Sequence, residues 1–111
     1  MRYSDYVWDY KNAVEYEERV KNGTMPPLMI SVAITRGVIG KEANPNLPET
    51  PEEQADEAYA AYRAGASAVH IHARDPQQGY AVTSSKTEHF FKVNKMIRER
   101  CPDIIINNTT G

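Results

Sequence analysis

Cysteine is nearly absent from this sequence: Cys101 is the only one in 111 residues, so no disulfide can form within the chain. An apolar run long enough to span a bilayer is also missing, and the start, Met1-Arg2-Tyr3-Ser4, does not have the pattern of a signal peptide. Basic residues are not in excess, since 13 lysines and arginines face 15 aspartates and glutamates. We therefore expect a cytoplasmic protein with no membrane or nucleic-acid partner.

The apolar residues that are present follow alternating strand and helix patterns. Strand patterns cover residues 28–35, 68–75 and 104–111, and helix patterns cover residues 4–21, 50–65 and 87–100. The middle helix has a clear start, because Thr50 and Glu53 form a capping box around Pro51. A helix followed by strand-helix-strand-helix-strand is typical of a parallel sheet with right-handed crossovers.

A parallel sheet of three strands has two open edges and one uncovered face. We therefore interpret residues 27–111 as the first part of a larger α/β domain, which makes the chain a truncated piece of that domain. Residues 1–26 are expected to form a helical extension before it. Residues 36–49 lie between the first strand and the following helix and show neither the strand period nor the helix period of apolar residues. We therefore predict a long loop there. Long ordered loops in compact domains tend to be functional.

The segment 68–76 carries the strongest chemical signal. Apolar residues alternate there with His70, His72 and Arg74, which is the pattern of a strand with two unlike faces. Asp75 and Pro76 end the strand, so this polar face lies at the carboxyl end, where α/β folds bind ligands. His70 and His72 would lie about 6.6 Å apart along the strand, at about 3.3 Å per residue. Such a pair can share one metal ion, and a solvated or structural pair is the alternative.

Four segments of this sequence together resemble the β-keto acid cleavage enzymes. They are PLMISVAIT (27–35), NPNLPETPEE (44–53), HIHARDP (70–76) and INNTTG (106–111). Each motif is weak alone, but the four in this order are specific. The resemblance implies a (β/α)₈ TIM barrel, of which this chain would be the amino-terminal portion, and a homo-oligomeric enzyme. It also implies acyl transfer, in which a β-keto acid and acetyl-CoA give acetoacetate and a new acyl-CoA.

The resemblance also assigns residues to the site. His70 and His72 match the pair that binds Zn²⁺, and Thr109 matches a residue that contacts the substrate. The third zinc ligand, a glutamate, and the catalytic arginine and aspartate of the family are expected beyond residue 111. Arg74, beside the histidines, is predicted to orient the substrate site, with a buried ion pair as the alternative.

One position departs from the family pattern. Members that cleave 3-keto-5-aminohexanoate use a glutamate, three residues after the threonine of the first strand, to hold the amino group of the substrate. Counted without gaps from Thr35, this chain has Val38 there. We therefore predict that Val38 contacts a β-keto acid that is less polar or differently charged. Glu42 lies nearby and is expected to be a solvated charge of the loop.

Two other hypotheses use the same histidines. Metal-dependent hydrolases of the amidohydrolase kind also carry His-x-His on a barrel strand, but usually on the first strand, whereas here a strand at 28–35 precedes it. Alternatively, the chain is a truncated metal-binding fragment without turnover. A fragment with two ligands and no catalytic base is expected to be inactive alone.

Overall fold

Residues 12–110 are described by a computed structural model, in which they form a three-stranded parallel sheet with two helices packed on one of its faces. The strand order is β1-β2-β3, and neighbours are parallel. The elements are α1 (Ala13–Asn22), β1 (Ser31–Ala33), α2 (Pro51–Arg63), β2 (Ala68–Ile71), a 3₁₀ turn (Pro76–Gln78), α3 (Thr87–Arg100) and β3 (Ile105–Asn108). The predicted α/β class is confirmed. Closure into an eight-stranded barrel and the domain division at residue 26 stay predictions.

The apolar core lies on one face of the sheet and joins it to α2 and α3. Val69 and Ile71 of β2 are fully buried there, together with Val93 and Ile97 of α3. Each large aliphatic side chain buried in this way contributes about 1.5–3 kcal/mol to stability. The period-two pattern in segment 68–76 therefore predicted the apolar face of the central strand correctly.

The other face of the sheet is open. Ser31 and Ala33 of β1 are exposed, and Ile105 of β3 is 53% exposed. This agrees with the one uncovered face expected of three parallel strands, because no helix within residues 12–110 covers it. All three strands are shorter than predicted, the central one covering Ala68–Ile71 and not 68–75, since a strand extends only as far as its neighbour pairs with it. In β1 that pairing stops at Ala33, opposite His70.

Helix α2 begins at the capping box that the sequence predicts. The Thr50 hydroxyl accepts a hydrogen bond from the Glu53 backbone N–H at 3.1 Å, and the Glu53 carboxylate accepts one from the Thr50 backbone N–H at 3.1 Å. The same carboxylate oxygen also accepts the Glu49 backbone N–H at 2.8 Å. These bonds satisfy donors that the first helical turn leaves without partners, and they tie the end of the preceding loop to the helix.

The lowered pKa of Glu53 predicts how the free energy of unfolding of the chain changes with pH. The Lys41 ammonium, 2.5 Å away, and the Glu49 backbone N–H lower the pKa of Glu53 from 4.5 to about 2. Because the folded pKa lies below the unfolded one, the stabilisation is present above the unfolded value and is lost as the pH falls through the folded value. Urea unfolding of Glu53→Gln should thus show a flatter loss of stability from about pH 5 to about pH 2. The control is Glu52→Gln, an exposed neighbour, and a Glu53→Gln profile parallel to that of the unaltered chain would contradict the prediction.

Helix α1 is shorter than predicted. Asn12 has an extended backbone, and its side-chain oxygen accepts the Glu15 backbone N–H at 3.1 Å, so the helix starts at Ala13. A continuous helix over residues 4–21 is therefore wrong at Asn12, and residues 4–11 of that prediction lie outside the described range. The helix ends at Gly23, which adopts the left-handed conformation at φ 64°, as Asn22-Gly23 indicates. Among the helices of residues 12–110, none is long and apolar enough to cross a bilayer.

Candidate functional site

The open face of the sheet carries His70, the first of the two predicted metal ligands. In register, His70 lies between Ala33 of β1 and Asn107 of β3. The His70 Nδ1 and the Asn107 Oδ1 are 2.5 Å apart. Because an amide oxygen only accepts, Nδ1 carries the proton and donates it to Asn107. The Nε2 of His70 is then the nitrogen with a lone pair that can bind a cation.

His72 follows the end of β2 and lies beside His70. The two ring centroids are 5.2 Å apart, with ring planes at 78°, so the structure brings the two imidazoles together. His72 is only 8% exposed, and its Nδ1 is buried without a hydrogen-bond partner. Burial, and after it the electrostatic influence of His70 and Arg74, lowers the pKa of His72 below its usual value of 6.5. His72 is therefore neutral at pH 7, as a metal ligand must be.

The histidine pair has the chemistry of a metal half-site. Histidines that bind metals usually donate their second ring N–H to an acceptor that fixes the ring, and Asn107 is such an acceptor for His70. Burying the Nδ1 of His72 without a hydrogen-bond partner costs free energy, and a bound cation would compensate that cost. Within residues 12–110, no group of three or more His, Cys, Asp or Glu side chains could hold a metal ion. A closed zinc site therefore needs a further ligand from another segment.

Arg74 is turned toward the loops at the edge of the sheet. Its side chain is 1% exposed. Its Nη2 donates to the backbone carbonyls of Arg36 and Ile39, both at 2.7 Å. Its Nη1 donates to the carbonyls of Tyr80 and Ala81 at 3.3 and 3.1 Å. Both terminal nitrogens thus bind the chain itself, and a direct contact of Arg74 with substrate stays a prediction.

The structure contains a partner for the buried ion pair that was the alternative for Arg74. The Arg74 Nη1 lies 3.5 Å from the Glu49 Oε1, and the Glu49 side chain is 11% exposed. Glu49 closes the loop after β1, so this pair connects that loop with the end of β2.

The two remaining predicted substrate residues also follow strand ends. Val38 lies in the loop after β1 and is 96% exposed. Thr109 directly follows β3, and its backbone N–H donates to the Ile71 carbonyl at 3.2 Å. Since the carboxyl ends of parallel strands share one edge, Val38 and Thr109 belong to the same edge as the histidines. Glu42 is exposed, as expected, but its carboxylate accepts the Gly40 backbone N–H at 2.7 Å, which lowers its pKa below 4.5.

Two residues that support the site were not found from the sequence. Asn107 is one of them, because its pairing with His70 depends on strand register. The other is Gln54 of α2, which is buried and donates from Nε2 to the carbonyls of His72 and Glu49 at 3.1 and 3.2 Å. A usable signal for Gln54 was its polar side chain next to Ala55 in the buried stripe of an otherwise regular helix.

The hydrogen bond between His70 and Asn107 predicts which ring nitrogen of His70 carries the proton. Replacing Asn107 by leucine removes the acceptor, so the proton should distribute over both ring nitrogens of His70, and metal affinity should fall about tenfold or more. Ring ¹⁵N chemical shifts measure the tautomer without any metal. Asn107→Asp keeps an acceptor oxygen and should keep the Nδ1–H form. An unchanged tautomer in Asn107→Leu would show that Asn107 does not set it.

Comparison with known proteins gives a consistent result over the same part of the chain. Residues 27–111 match the family described as "beta-keto acid cleavage enzyme". A 3-keto-5-aminohexanoate cleavage enzyme of Fusobacterium nucleatum is 44% identical over 87 residues, which is 78% of this chain and 31% of that protein. The enzyme of the same name from Acetoanaerobium sticklandii is 45% identical over 87 residues, with the same coverage.

A third relative has a different name. The 3-oxoadipate:acetyl-CoA acetyltransferase of Cupriavidus necator is 40% identical over 85 residues, or 77% of this chain and 29% of that protein. The chain thus spans just under a third of the length of these curated relatives. The family match begins at residue 27 and contains all four motifs, and the chain belongs to the beta-keto acid cleavage enzyme family.

Proposed function

We propose that this chain is the amino-terminal part of a (β/α)₈ barrel enzyme that transfers an acyl group. The reaction takes a β-keto acid and acetyl-CoA and gives acetoacetate and a new acyl-CoA. The observation that carries the proposal is the family match over residues 27–111, which includes the paired imidazoles at the carboxyl edge of the sheet. Relatives named as an acetyl-CoA acetyltransferase and an acetyl-CoA acetone transferase support this reaction class.

We further propose that His70 and His72 bind Zn²⁺, with a glutamate from beyond residue 111 as the third protein ligand. When bound, the ion supplies a Lewis acid at the β-carbonyl of the keto acid. His70 contributes a ring whose Nδ1 proton is held by Asn107, so its other nitrogen is the one that can bind. His72 contributes a ring that burial keeps neutral, and Gln54 holds its backbone carbonyl in place.

The polar strand ends are proposed to orient the substrate. Thr109 directly follows β3 and is anchored through its backbone to β2, so its hydroxyl side chain has a defined place at the edge of the sheet. Val38 presents an apolar side chain in the loop after β1, which suits a neutral or anionic β-keto acid. Proton transfer and orientation by an arginine and an aspartate are assigned to segments outside this chain, as the resemblance implies.

The family match favours this reaction over the hydrolase hypothesis, which used only the His-x-His pattern. The cytoplasmic location and the homo-oligomeric state of a complete enzyme stay predictions. Because its described residues offer only two histidines of the proposed site, the chain by itself is expected to have no turnover.

A chimera tests the proposed function. Residues 27–111 replace the matching segment of the Fusobacterium nucleatum relative, and acetoacetate formation is measured with acetyl-CoA and a panel of β-keto acids. We expect turnover by the chimera and none by the 111-residue chain. A chimera that melts cooperatively and retains zinc, yet forms no acetoacetate from any member of the panel, would contradict the proposal.

A further inference from the structure

A buried polar cluster joins the loop after β1 to the end of β2. We call it the loop clamp, and it consists of Gly40, Glu49, Gln54 and Arg74. All four residues are buried, although the loop that they hold, residues 36–49, is mostly exposed. A guanidinium loses much hydration when it is buried, and that loss is compensated only when its donors have acceptors. Loop carbonyls are the acceptors of the two terminal nitrogens of Arg74, whereas its Nε is buried without a partner, so the charge serves to hold backbone.

Arg74 holds the loop at two separate points. Its Nη2 binds the carbonyls of Arg36 and Ile39, at 2.7 Å each, and these residues flank the segment that contains Val38. A planar guanidinium fork can bind two carbonyls at once, whereas a lysine ammonium is a single point charge. Val38 itself is 96% exposed, so its position is determined by the backbone on either side of it.

Glu49 and Gln54 extend the clamp to the histidine pair. The Glu49 Oε1 accepts the Lys41 backbone N–H at 2.8 Å and lies 3.5 Å from the Arg74 Nη1. Gln54 donates to the carbonyls of both Glu49 and His72. The same cluster therefore contacts the loop with Val38 and the backbone of His72.

Gly40 shows how closely the loop lies on this cluster. A Cβ at this position would be 2.4 Å from the Glu49 Oε1 and 2.7 Å from the Glu42 Oε2, closer than real Cβ contacts. It would also lie 3.5 Å from the Arg74 Nη1. A side chain at Gly40 would thus displace the Glu49 carboxylate from its place in the cluster and disturb its hydrogen bond with the Lys41 backbone N–H.

We propose that Arg74 is a positioning residue that, through the loop clamp, sets where Val38 stands relative to the histidine pair. Arg74 acts on the choice of β-keto acid through the loop, because both of its terminal nitrogens bind backbone carbonyls. This proposal rests on the proposed function in one respect only, namely that the ligand in contact with Val38 is a β-keto acid.

Hydrogen exchange in the 111-residue chain tests the clamp without any activity. In the unaltered chain, the amides of Lys41, Ala43 and Asn44 should be protected, because each has an acceptor within the loop or in Glu49. Arg74→Lys keeps the charge but loses the fork, and we expect about a tenfold or greater loss of protection at these amides, with amides of α3 unchanged. Gly40→Ala should cause the same local loss while Arg74 stays in place.

Lys41→Met is the matched control. It removes the exposed ion pair with Glu53 but keeps the Lys41 backbone N–H, so protection in the loop should be retained. The proposal is overturned if these loop amides are unprotected in the unaltered chain. It is also overturned if they stay as protected in Arg74→Lys and in Gly40→Ala as they are in the unaltered chain. If Arg74→Lys loses protection throughout the chain, Gly40→Ala decides the outcome.

A second measurement separates positioning from mere structural support. In the chimera, Arg74→Lys should raise KM for the β-keto acid about tenfold and leave kcat within about threefold, because the loop, and not the reacting groups, is loosened. The effect of Val38→Glu on substrate preference should also be weaker in the Arg74→Lys background, which a double-mutant cycle measures. Additive effects of the two substitutions would overturn the link between Arg74 and Val38. An inactive chimera would count against the proposed function and leave the exchange result to decide the clamp.

Discussion

In the chimera, His70→Ala and His72→Ala will each abolish the retention of zinc. Turnover will be lost together with the metal. Structural zinc sites bind with about 10–16 kcal/mol over four ligands, so losing one ligand costs about 3 kcal/mol, or roughly a hundredfold or more in affinity. Elemental analysis after dialysis, together with competition against a chelator, measures the effect.

The third histidine provides the matched control. His89 lies at the start of α3, where its Nδ1 is 2.6 Å from the Ser84 hydroxyl, and no metal role is assigned to it. His89→Ala should therefore retain zinc and turnover. Stoichiometric zinc in the His70→Ala/His72→Ala double variant would show that the metal binds elsewhere and would remove the basis of the proposed site.

The second large effect concerns the charge of the substrate. A carboxylate at position 38 would pair with a substrate ammonium, and hydrogen bonds to charged groups contribute about 1.5–3 kcal/mol, or roughly ten- to a hundredfold in preference. Val38 offers only apolar contact, so an ammonium there would lose water without gaining a partner. We therefore expect the chimera to prefer 3-ketohexanoate over 3-keto-5-aminohexanoate, and Val38→Glu to shift the preference toward the amino substrate.

The measurement is kcat/KM for both substrates in the two proteins. Val38→Gln is the control, because it adds a polar side chain of similar length without charge, and we expect it to shift the preference less than Val38→Glu does. An unaltered chimera that favours the amino substrate tenfold or more would contradict the argument. Glu42 would then be the next candidate partner, although its carboxylate already accepts the Gly40 N–H. No shift in Val38→Glu would mean that the ungapped count from Thr35 to Val38 is incorrect.

Local signals predicted the helices well where such signals are strong. Thr50 and Glu53 marked the start of α2, and α3 runs from Thr87 to Arg100 as its period indicates. The start of α1 was predicted incorrectly, because several residues near the amino terminus can cap a helix and the sequence does not rank them. Strand ends were also missed, since they depend on pairing with a neighbour distant in the chain.

The sequence by itself determined which residues share a face of the central strand, because the side-chain period of a strand is two whatever the surroundings. That is why His70 and His72 were found as a pair. The four motifs indicated the family by their order along the sequence, which needs no structure. Only the tertiary structure decided what surrounds them. Asn107 meets His70 because β3 pairs with β2 in one register, across 37 positions of sequence. Arg74 turns to the loops because their carbonyls are the acceptors within reach of a buried guanidinium, and such contacts form only when distant segments fold together.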